Sequence, residues 1–86
     1  MRNWTLRIAR RAEKKLDRLP VKDERLISQA LDAMAAYPFN GDIIHLHNER
    51  SEWRRRVGNY RIFFDVYPDS LIIDVVEIQR RTSKTY

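Results

Sequence analysis

The chain has no cysteine, only two glycines and three prolines, and no long apolar run. Without cysteine there can be no disulfide, thiol nucleophile, or cysteine-based zinc or iron–sulfur site. With so little glycine there is no phosphate-cradling Gly-rich loop, and neither HExxH nor a serine-nucleophile motif is present. The opening "MRNWTLRIAR" is too polar for a signal peptide or a membrane span. A cytoplasmic protein with no membrane association is expected. Acidic residues are missing from two segments. Residues 53–61 hold Arg54, Arg55, Arg56 and Arg61 and no acid, and residues 79–86 hold Arg80, Arg81 and Lys84 and no acid. The net charge is +5, so the rest of the chain sums to −2. Such local excess is the footprint of a polyanion-binding site rather than a generally basic surface.

Eighty-six residues suffice for one domain, expected to span 1–86. A chain this short buries roughly 60–65% of its unfolded surface, enough for one modest core. Trp4, Leu6 and Ile8 alternate, predicting a first strand. In "ARRAEKKLDRL", Ala9, Ala12, Leu16 and Leu19 fall on one helical face. Pro20 closes that helix and suits the start of another. The second helix carries Ile27, Ala30, Leu31 and Met34, places Asp23 and Glu24 near its positive N-terminus, and ends before Pro38. "IIHLHNE" reads equally as a short strand or an extended connector. "WRRRV" and "YRIFFDVY" flank Gly58-Asn59, a strong hairpin signal. "LIIDVVEI", residues 71–78, is nearly continuous apolar sequence and predicts a central strand covered on both faces. The expected fold is α+β, in the order β-α-α-β-β-β, with two N-terminal helices on one face of a small, mainly antiparallel sheet.

A two-residue Gly58-Asn59 loop pairs Val57 with Tyr60, Arg56 with Arg61, Arg55 with Ile62 and Arg54 with Phe63. Strand alternation puts Arg54, Arg56, Arg61 and Phe63 on one face, and Trp53, Arg55, Val57, Tyr60, Ile62 and Phe64 on the apolar other. Directly opposed like charges destabilise a sheet by up to ~1 kcal/mol. A bound anion reverses that sign, since guanidinium forks match phosphate oxygens. Phe63 is placed to stack a nucleobase. Arg55 is expected to snorkel past Trp53. His45 and His47 lack a third ligand, so no metal site is expected. Glu49 and Glu52 precede the hairpin without any spacing that demands a role.

The "RxRVGxYR" hairpin, the preceding "AEKKLDRLP" helix and the closing "VVEIQRRTSKTY" make the chain resemble toxins of the RelE/ParE superfamily of type II toxin–antitoxin modules, over essentially its whole length. The resemblance implies that fold. It also implies one of two activities: a metal-independent, ribosome-dependent mRNA endoribonuclease needing no cofactor, or a ParE-like poison of DNA gyrase. In the first case the catalytic set maps onto Arg54, Arg56, Arg61, Arg81 and the terminal Tyr86, with Phe63, Arg80 and Lys84 as further RNA contacts. The two strand positions, often lysine in relatives, are both arginine here. Arginine neutralises phosphate but is a poor proton donor or acceptor. Tyr86 is then the implied base, its phenolate favoured by surrounding arginines, with Glu52 as an alternative. The implied partners are a cognate antitoxin, plus the ribosome and mRNA or, alternatively, gyrase. A plain RNA- or partner-binding module of the same fold is the remaining reading.

Overall fold

The computed structural model describes residues 4–47 and 51–81. Seven elements follow in order: β1 (Thr5–Ile8), α1 (Arg10–Asp17), α2 (Val21–Ala36), β2 (Asp42–His45), β3 (Trp53–Val57), β4 (Tyr60–Tyr67) and β5 (Ile72–Arg80). The ambiguous "IIHLHNE" segment thus supplies an edge strand. The sheet order is β1-β5-β4-β3-β2. β2 to β5 form an antiparallel meander, and β1 joins parallel to β5, with Thr5 opposite Ile72 and Ile8 opposite Val75. The two helices lie in the crossover between β1 and the meander, as a parallel pairing requires. No helix is long and apolar enough to cross a membrane among the described residues.

Pro20 sits at the N-cap of α2 in an extended conformation, one residue ahead of the expected first turn, with Asp23 and Glu24 following in that turn. Alternation then builds the core. Ala12 and Leu16 from α1 and Ile27, Ala30, Leu31 and Met34 from α2 pack with Tyr60, Ile62, Phe64, Val66, Ile73, Val75 and Ile78. Each of the largest of these contributes about 1.5–3 kcal/mol by leaving water.

β5 departs from expectation. It lies between β1 and β4, but its burial alternates, and only Ile73, Val75 and Ile78 are buried. It is packed on the helix side alone, and β4 occupies the middle of the sheet. The buried positions step by two and then by three because of a β-bulge: Phe63 pairs with Glu77 but Phe64 with Val75, leaving Val76 as the extra residue.

Candidate functional site

The hairpin forms in the expected register. Val57 faces Tyr60, Arg56 faces Arg61, Arg55 faces Ile62 and Arg54 faces Phe63. Gly58 turns with φ +58°, and Asn59 does not need a positive φ, the arrangement of a two-residue turn with glycine first. β2 and β5 extend the helix-free face on either side. One row across the sheet reads Asp42, Arg56, Arg61, Gln79, and the next reads Ile44, Arg54, Phe63, Glu77.

The bulge at Val76 decides which residue of the tandem Arg80-Arg81 joins this face. Gln79 pairs with Arg61 and Arg80 with Tyr60, so Arg80 points to the helix side and Arg81 to the arginine side. The Arg81 amide donates to the Asn59 carbonyl at 2.6 Å, pinning Arg81 beside the hairpin turn. Without the extra residue the two arginines would exchange faces.

Electrostatics show the convergence. The Arg61 guanidinium is held below the ordinary arginine value, first by burial and then by repulsion from Arg54, Arg81 and Arg56. The Nε atoms of Arg54 and Arg61 are buried and find no acceptor among the described residues. Arg55 Nε, on the packed face, is buried without an acceptor in the same way, so what sets this face apart is the convergence of four guanidiniums rather than the unpaired donors. Among the described residues, Arg56 alone of the four pairs with a carboxylate: its Nε donates to Asp42 Oδ2 at 2.9 Å. Asp42 went unnoticed in the sequence because β2 could not be assigned as a strand.

Other expected residues fall elsewhere. Phe63 shares the face but is only 9% exposed. It pairs in register with Arg54 and Glu77, and so little exposed a side chain offers little surface to a stacked base. Arg55, on the packed face, reaches toward the β2 edge of the sheet. Its Nη1 donates to the Asn40 carbonyl, bracing the Asn40-Gly41 turn. Glu52 is exposed, and its backbone amide donates to Asp65. His45 packs edge-on against both Trp53 and His47. Tyr86, Lys84 and Glu49 lie outside the described residues.

This is a small α+β protein whose sheet gathers arginines on its uncovered face at the hairpin end. The sequence pattern of the family described as "ParE toxin of type II toxin-antitoxin system, parDE" matches residues 6–84, and the chain belongs to that family of the RelE/ParE superfamily. No curated protein matches significantly. Among solved structures, the chain is similar to the archaeal RelE of a RelE–RelB complex from Pyrococcus horikoshii OT3, at TM-score 0.79 and 22% identity, covering 93% of this chain and 97% of that one. It is also similar to the RelBE2 toxin–antitoxin complex of Mycobacterium tuberculosis, at TM-score 0.79 and 18% identity, covering 91% and 98%. The isolated E. coli RelE toxin matches at TM-score 0.79 and 14% identity, covering 95% and 88%. At these identities the structures establish a common fold.

Proposed function

We propose that this toxin is an mRNA endoribonuclease that acts at the ribosome. The observation carrying the proposal is the meeting of Arg54, Arg56, Arg61 and Arg81 on one face, close enough that the other three repel the Arg61 guanidinium. The reaction suited to such a site is attack of the RNA's own 2′-OH on the adjacent phosphate. A new O–P bond forms, the bond to the following nucleotide's 5′-oxygen breaks, and a 2′,3′-cyclic phosphate remains. Preorganised positive charge stabilises the phosphorane where negative charge accumulates. Arg61 and Arg81 clamp the phosphate, and Arg54 and Arg56 support them. Arginine cannot take the proton, and Tyr86 is assigned that role. A cognate antitoxin completes the module: an acidic or amphipathic segment that covers the basic face would silence it.

Reconstituted translation followed by primer-extension mapping of mRNA ends, with and without ribosomes, tests this directly. Arg61→Ala and Arg81→Ala should each reduce cleavage by about 10²–10³-fold and relieve growth arrest, while folding and antitoxin binding persist. A folded double variant with full cleavage sinks the assignment. A second reading is favoured by one finding: the matching family pattern is that of ParE toxins. Under that reading the purified protein inhibits gyrase supercoiling and leaves mRNA intact, so a supercoiling assay run in parallel separates the two.

A further inference from the structure

The −2 net charge outside the two basic segments conceals a second charged surface. On α1 and its C-cap, Arg11, Lys14, Lys15 and Arg18 recur at helical spacing, i, i+3, i+4 and i+7, and line one groove with Leu19, Pro20, Tyr60 and Arg80. The acids of the helix, Glu13 and Asp17, fall on a different side by the same periodicity, so the sum cancels while the surface does not. Arg11 makes one long ion pair, 3.4 Å to Glu77. Lys14, Lys15, Arg18 and Arg80 make none with any described residue. Like charges at these spacings cost an isolated helix a few tenths of a kcal/mol per pair, with no gain to the fold.

The stripe is joined to the arginine face by the chain itself. Arg80 and Arg81 are consecutive, and the bulge sends one to each side of the sheet end. From Arg11 to Arg18 the stripe runs about 10 Å along α1. We propose that this groove binds the sugar–phosphate backbone of the same single-stranded RNA that the arginine face holds, beyond the scissile phosphate. This inference rests on the RNA reading given above. An acidic protein segment is the competing occupant. Protein interfaces deplete charge at their centre and fill it with apolar groups. Here five of the eight lining residues are cations, beside Leu19, Pro20 and Tyr60, a charge density closer to that of nucleic-acid-binding surfaces.

The test is fluorescence anisotropy with 2′-O-methyl RNA, which cannot cleave itself, in a short form of about four nucleotides and a long form of about twelve. Lys14→Gln/Lys15→Gln/Arg18→Gln should weaken the long oligonucleotide tenfold or more and lower its salt slope by about 2, at ~0.7 per lost contact. The loss should be confined to the long form, and Lys14→Arg/Lys15→Arg should retain wild-type affinity. Arg61→Ala should weaken both forms. Thermal melts should show the triple variant folded and no less stable. Unchanged affinity and slope for the long form, or equal loss for both lengths, overturns the groove alone. Intact RNA binding with lost antitoxin binding assigns the groove to protein and also overturns it. If the wild type binds neither oligonucleotide, or Arg61→Ala leaves the short one bound, the reading of the arginine face falls and takes this inference with it.

Discussion

Arg56 is the member of the arginine set that already holds a counter-charge. Its ion pair with Asp42 spans two half-exposed side chains, so its net worth is about 0–1 kcal/mol. That is too little to exclude a phosphate but enough to compete with one. Among the described residues, Arg54, Arg61 and Arg81 have no such partner. Asp42 therefore tempers the site at its β2 edge. Asp42→Asn keeps the shape and removes the charge, and is expected to tighten binding of the short 2′-O-methyl RNA by up to about fivefold, since 1.4 kcal/mol is tenfold. Anisotropy titrations at matched salt measure this. Unchanged or weaker binding would show that the carboxylate does not compete. Phe63 makes a related point. Its place on the face was readable from parity, but its burial was not, because burial depends on neighbours from β3 and β5 that one strand's sequence does not name.

At the scale of elements, the hairpin was legible because turn chemistry and alternation are local. Gly58 and the paired runs fix a register that the structure reproduces residue for residue. Three things were not local. Val76 reads as one more β-branched residue in an apolar run. Only pairing with β4 shows it to be extra, and that decides the fate of Arg80 and Arg81. The α1 stripe vanished in a net sum that ignored helical direction. β2 was ambiguous because its order comes from outside: Asp42 pairs with Arg56, and Arg55 holds the turn that precedes the strand. That turn gives a test at its own scale. Gly41 has φ +108°, and an added Cβ would lie 2.8 Å from the Arg55 guanidinium carbon. Gly41→Ala is expected to cost about 1–3 kcal/mol, the range for backbone strain of this kind. Denaturant unfolding reads the loss, and a smaller loss in an Arg55→Ala background would separate the steric part from the strain. Equal stability of Gly41→Ala and wild type would show that the turn relaxes freely.

Across the whole molecule, the helix layer and the sheet layer are tied together at the basic end. Tyr60 begins β4 just past the hairpin turn and is 2% exposed. Its hydroxyl donates to Asp23 Oδ2 at 2.6 Å, in the first turn of α2. The hydrogen bond to Asp23, then burial, then the Asp23 charge raise the phenol's pKa above the ordinary tyrosine value, with Arg80 opposing weakly. Tyr60→Phe should therefore cost about 1.5 kcal/mol near neutral pH, the low end for a hydrogen bond to a charged group because Asp23 is only half-buried. For a domain of this size that is roughly 6–12 °C in Tm. The pH dependence has a definite sign. The folded pKa is raised, so the contribution is complete below the unfolded tyrosine value of about 10 and is lost as pH rises through the folded value. Other tyrosines and lysines titrate in the same range, but they are common to both proteins and cancel in the difference. Paired thermal melts of wild type and Tyr60→Phe should thus show a gap that is constant through neutral pH and closes on the alkaline side. A gap that persists unchanged at high pH would mean that the two layers are joined by packing alone and that the phenol–carboxylate bond contributes nothing.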